Sequence, residues 1–416
     1  MQPFSGLSLF LKGLSGQKGW QAQWRHPEPK PAYDAIIVGG GGHGLGTAYY
    51  LAAEHGFTNV AVLEKGYLAG GNTARNTTII RSNYLTPEGV SFYDRSIQLW
   101  RGLANDLGIN IMYSERGHLT LAHTDAAVRT SRWRAEVNKQ LGVDSELIFR
   151  DDIARICPQL NMSMDVRYPI LAALYHPPGA IARHDAVAWG YAMGAAAAGA
   201  EIHQKTEVQG FDIEADRILR VRTNRGTISA DKVLIAVAGS SSLVAGMAGL
   251  MLPIRTIPLQ ACVSEPVKPV LDPIIVSGSL HVYISQSARG EFVMGGSVDP
   301  YTLYSTRSSL DFAESMMAEM LELFPFLHNA RMLRQWAGMA DMTPDFSPVM
   351  GQTPVENLYI DAGWGTWGFK ATPVCGETMA ECVASGRQPA LIEPFRLERF
   401  ERFALVGERG AASVGH

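Results

Sequence analysis

The segment DAIIVGGGGHGLGTAYYLAAEHG constrains the chain more than any other. A short continuous apolar run, Ala35–Val38, enters a glycine turn, Gly39-x-Gly41-x-x-Gly44, that opens a helix reaching Glu54, and a second apolar run, NVAVLEK, follows. Continuous apolar strands joined through a helix belong to a β-α-β unit in a buried parallel sheet. Each glycine meets a physical need: a tight turn, room for backbone to approach a pyrophosphate, and close helix–strand contact, while the helix N-terminus offers partial positive charge. Glu64 closes the second strand at the spacing where an acid meets a ribose hydroxyl. Gly39, Gly41, Gly42, His43, Gly44, Glu64 and Lys65 are therefore the expected dinucleotide contacts. An NADP site would place arginine beside Glu64 for the 2′-phosphate; Lys65 stands there instead, so NADP is not expected. These residues do not choose between NAD and FAD.

Composition extends the point. Glycine is 42 of 416 residues, about 10% against a usual ~7%, so backbone is put to use in more than one turn. The balance of 36 basic and 40 acidic residues gives −4, with no basic face of the kind nucleic acid requires. Cys157, Cys262, Cys375 and Cys382 form no C-x-x-C and have no histidine at ligand spacing; reduced thiols in a cytoplasmic protein without a metal site are expected. No run approaches the ~18 apolar residues that span a bilayer, and the leader lacks a signal-peptide pattern. A soluble protein follows as an expectation.

Helical periods cover Pro87–Leu107, Asp125–Leu141, Arg150–Ile156, Asp185–Ala198 and Leu310–Leu323. The loop GYLAGGNTARNTTIIRSNYL between the second strand and the first of these has the length and polarity of a functional loop. Lys232–Ala236 reads as another buried strand, residues 258–300 alternate as antiparallel strands, and LYIDAGWGTWGFKATPVCGETMAECVAS reads as strand, glycine turn, helix. His281 and Tyr283, one strand period apart in HVYISQ, would share a face and could position an amine or accept its proton. Asp341 and Asp345, separated by Thr-Pro, suit turn and cap roles better than paired catalysis.

The order GGGGHGLGTAYYLA, VLEKG, GGNTARNTTIIRSNYL, RGTISADKVLIAVAG and GWGTWGFKATP resembles the amino-acid-oxidising flavoproteins of the D-amino acid oxidase and sarcosine oxidase type. Within these it is most similar to the β subunits of heterotetrameric sarcosine oxidases, over nearly the whole chain. The resemblance implies an α/β plus α+β fold: a Rossmann-type FAD-binding domain made of 33–110, 165–245 and 330–400, interleaved with an antiparallel-sheet substrate domain of 111–164 and 246–329. Residues 1–32 would be an N-terminal arm and 401–416 a C-terminal tail. It further implies non-covalent FAD, a covalent FMN, a larger α subunit and small subunits as partners, and a small amino-acid substrate.

Residue by residue, the resemblance places Asn72, Arg75, Asn76 and Thr77 of the long loop, Val208 of TEVQGF, and Gly363, Gly365 and Gly368 of the late turn against FAD. His184, in ARHDAVAWG, takes the position that bonds FMN. Arg81 and Lys370 take the positions that grip the substrate carboxylate, a task suited to fixed cations. The expected activity is oxidation of sarcosine with transfer of electrons to oxygen; an N-methylglutamate dehydrogenase type of subunit and a flavin-binding scaffold without turnover are the alternatives. Two departures bear on the substrate: Trp367 stands where the related turn has glycine, and Pro177-Pro178 alter the approach to His184.

Overall fold

The computed structural model describes residues 5–18, 24 and 27–408. Parts of the expected arm (1–4, 19–23, 25–26) and of the expected tail (409–416) lie outside the described residues.

The apolar runs build a parallel core in the order Glu201–Gln204, Val60–Glu64, Ala32–Val38, Gly226–Ile235, Leu358–Ala362. An antiparallel ribbon, Val208–Glu214 with Arg217–Thr223, extends from Gly226–Ile235, and Val349–Gln352 adds antiparallel to Leu358–Ala362. Ile36, Val60, Val62, Val233, Ile235 and Ile360 have no solvent exposure, as strands covered on both faces must. The helices Gly42–Ala53, His184–Ala197 and Thr372–Ser385 pack together over one face of this sheet.

The helix Pro87–Asp106 shows how sequence fixes position. Thr86 caps it by accepting the Gly89 N–H at 3.1 Å, Pro87 occupies the first turn where no N–H is needed, and Phe92, Tyr93, Ile97, Trp100 and Leu103 form its buried face. Each such side chain contributes about 1.5–3 kcal/mol on burial. Trp100 and Ser96 also donate to the Lys370 carbonyl at 2.9 and 2.6 Å, which ties this helix to the late glycine turn.

Among the described residues the second sheet has eight strands, in the order Met332–Met342, Arg255–Pro266, Glu291–Val298, Val282–Gln286, Ile274–Ser277, His118–Ala122, Ala172–His176, Glu146–Phe149. It corrects the expected division in two places. The strands Ala172–His176 and Met332–Met342, assigned by sequence to the cofactor domain, pair here instead. The sheet is also not purely antiparallel, since Ile274–Ser277 and His118–Ala122 run parallel. The cavity described next lies between this sheet and the carboxyl ends of the parallel strands, where open α/β sheets bind ligands.

Candidate active site

A cavity of about 360 Å³ is lined from both sheets. On the cofactor side, Gly39 adopts φ +116°, and a Cβ there would sit 2.2 Å from the Ala236 carbonyl oxygen; a Cβ on Gly44 would sit 2.1 Å from that of Gly39. Only glycine closes this turn. Gly39, Gly41, Gly42 and His43 line the cavity, whereas Gly44 lies behind them as packing. The Thr73 hydroxyl accepts the Gly42 N–H at 3.0 Å.

Glu64 lines the same space with Lys65 and Val208. Its two oxygens accept the backbone N–H of Gly40 at 2.9 Å and of Gly66 at 2.7 Å, which orients the carboxylate and leaves further lone pairs for hydroxyl donors. Along the long loop, Asn72 bonds both backbone groups of Met339, at 2.7 and 2.9 Å. Arg75 donates to the Gly70 and Gly71 carbonyls, the Asn76 side chain accepts the Thr78 N–H, and Thr77 completes the lining. A glycine cradle, a helix N-terminus and an acid held open for hydroxyls fit the phosphates and ribose of a flavin dinucleotide.

Arg81, Lys370, Tyr283 and His118 share this cavity. Arg81 donates to the Asn83 side chain at 2.9 Å and stacks 4.5 Å from the Tyr84 ring centroid. Lys370 is buried, and burial, then the charge of Arg81, holds its pKa well below the usual lysine range. Burial pushes the Tyr283 hydroxyl up to about 12, so it serves as a neutral hydrogen-bonding group. Trp367 stands edge-on to Tyr84, ring centroids 5.3 Å apart, and fills part of the cavity wall.

Besides Gly44, three expected residues lie outside the cavity lining. His281 precedes the strand Val282–Gln286 at φ +51°, so it does not share a face with Tyr283 and does not line the cavity. Gly363 is spent on the turn itself, its N–H donated to Asp341 at 2.7 Å. His184 opens the helix His184–Ala197, outside the cavity lining, beside an Arg183–Asp185 pair at 2.8 Å; burial lowers its pKa, which favours the neutral imidazole. That helix packs against the turn Asn72–Arg75, which does line the cavity.

The structure adds His118 and Asp361, which sequence reasoning did not single out, and brings Asp341 to the cavity wall. His118 is buried with neither ring nitrogen hydrogen-bonded among the described residues, and burial, then Arg81, His176, Arg134 and Lys370, keep it neutral. Asp341 lines the cavity, its carboxyl pushed up to about 6 by burial, while Asp345 is bound to Arg399 in a buried ion pair at 2.8 Å. Asp361, at the end of its strand, meets His43. The one available signal for Asp361 was an acid inside an otherwise apolar strand, LYIDA.

Comparison with known proteins agrees with this geometry. The chain is 50% identical over 393 residues to the sarcosine oxidase subunit beta of Arthrobacter sp., covering 94% of this chain and 97% of the relative. It is 48% identical over 407 residues to the protein of that name from Rhizobium meliloti, covering 98% of both. Among solved structures, L-proline dehydrogenase from P. horikoshii superposes with a TM-score of 0.85 at 29% identity, covering 91% of this chain and 100% of that one. The family model described as FAD dependent oxidoreductase matches residues 34–382, and the chain belongs to that family.

Proposed function

We propose that the chain oxidises sarcosine, as the β subunit of a heteromeric sarcosine oxidase with a larger α subunit and small subunits. The observation that carries the reading is a pair of buried basic side chains, Arg81 and Lys370, in the cavity that also holds the dinucleotide cradle. Arg81 presents a planar guanidinium to the substrate carboxylate, and Lys370 adds a second donor from the late glycine turn. With the carboxylate gripped, the N-methyl group is held in one orientation, and such positioning supplies much of the acceleration. FAD, when bound, accepts the hydride equivalent. Trp367, backed by Tyr84, narrows the cavity, which favours a small N-methyl amino acid over N-methylglutamate. His184 carries FMN covalently through its imidazole, which burial keeps neutral and therefore nucleophilic.

The test uses the assembled complex. Arg81→Ala raises the KM for sarcosine by about 100-fold, the size expected when a buried charge pair loses one member, while FAD stays bound. His184→Ala abolishes flavin that remains with the acid-precipitated polypeptide. An unchanged KM removes the carboxylate assignment, and flavin still covalently attached in His184→Ala places the linkage elsewhere.

A further inference from the structure

His43 sits inside the first glycine turn, yet its ring makes two long-range hydrogen bonds. Nε2 lies 2.7 Å from the carbonyl oxygen of Gly368 in the late turn, and Nδ1 lies 2.9 Å from Asp361 Oδ2. A carbonyl oxygen only accepts, so Nε2 carries a proton. The other contacts of Asp361 are donors: the Trp364 indole N–H on Oδ1, and the Cys375 thiol on Oδ2 at 3.0 Å. Nδ1 faces the same Oδ2 and, as a donor, completes the set of groups converging on this side chain. With both nitrogens donating, the ring holds two protons.

The arrangement has a direction. Both residues line the cavity, but the Asp361 side chain has no exposure and the His43 side chain has 14%, so the positive partner is the more accessible from it. The Trp364 ring fixes the imidazole edge-on, 88° between planes at 4.6 Å. A cation at a helix N-terminus works against the helix dipole, so this placement is not explained by helix stability. Burial lowers the pKa of His43, but the charge and hydrogen bond of Asp361, the Gly368 carbonyl and the charge of Asp341 raise it above the ordinary histidine value.

We propose that His43 is a permanently protonated clasp that joins the two cofactor turns and sets the reduction potential of the bound flavin through its charge. His43 acts as a positioning and electrostatic residue: its charge favours the reduced flavin, on which negative charge develops. The groups that face it are Asp361 from the strand Leu358–Ala362, Asp341 from Met332–Met342, Cys375 from the helix Thr372–Ser385 and the Gly368 carbonyl. The inference rests on FAD occupying this cavity.

Asp361→Asn in the FAD-loaded complex separates charge from shape. Its amide oxygen accepts from Trp364 and its two N–H groups donate to Nδ1 and, with the direction reversed, to the Cys375 sulfur, so the clasp keeps its contacts while the ring becomes neutral. The expected result is bound FAD with a midpoint potential below that of the wild type, and a further fall in His43→Gln. Nitrogen-15 NMR of histidine-labelled wild-type complex needs no variant to fold: two ring N–H signals persist at about pH 8, well above the usual histidine pKa, and their assignment is checked by loss in His43→Gln. An unchanged potential in Asp361→Asn, or a single ring proton in the wild type, overturns the proposal. A chain that retains no FAD overturns the cofactor reading, and the clasp with it.

Discussion

Lys370 shows how much of the chemistry is set by a single environment. Burial and the neighbouring Arg81 push its pKa down, so before ligand arrives it leans toward the neutral amine. A carboxylate beside it favours the ammonium, and binding draws in a proton. Titration of the FAD-loaded complex with acetate at about pH 8, by calorimetry in buffers of different ionisation enthalpy, therefore reports net proton uptake. Lys370→Met abolishes the uptake. The sign of the pH dependence follows: acetate affinity is highest below the pKa of the free enzyme's Lys370 and falls as pH rises through it. Equal uptake in wild type and variant contradicts the assignment. Arg81 and Lys370 were named from the resemblance, through the motifs TTIIRSNYL and GFKATP, and both line the cavity. Asp361 and His118 were not named, since inside apolar strands nothing local says which buried polar group faces a cavity. His281 failed for a related reason: a left-handed backbone at that residue breaks the alternation that linked it to Tyr283.

At the scale of elements, the glycine turn and its flanking strands were the most legible part. The expected helix over Arg150–Ile156 and that over Leu310–Leu323 form with the same bounds, and Pro87–Leu107 ends one residue earlier. Periodicity reports which residues are buried, and helix length and caps follow from it. It does not report the partner. The strands Ala172–His176 and Met332–Met342 have ordinary strand patterns, and only tertiary pairing sends them to the second sheet. The turn itself carries a sharp prediction. Gly44→Ala forces a methyl group against the Gly39 carbonyl oxygen, and this contact cannot relax without opening the cradle. Purified Gly44→Ala complex is expected to contain less than about a tenth of the FAD of the wild type, a loss of more than about 1.4 kcal/mol in binding, read from its visible absorbance per polypeptide. Full retention of FAD means that the turn does not hold the phosphates.

The whole molecule explains why the glycines are scattered. The chain crosses between the two sheets several times, so that turns distant in sequence, at Gly39–Gly44 and Gly363–Gly368, meet across His43 and Gly368. Segments distant in sequence alternate between the two sheets, and the strands Ala172–His176 and Met332–Met342 pair in the second. The cavity between the sheets brings one wall of cofactor contacts to another that carries cations, and this meeting is the basis of the proposed activity. Anaerobic mixing of the purified FAD-loaded complex with sarcosine tests it most directly. The yellow absorbance of the oxidised flavin bleaches in the wild type, and in Arg81→Ala it does so only at far higher sarcosine. Wild-type flavin that stays oxidised with sarcosine, yet is reduced by dithionite, contradicts the account.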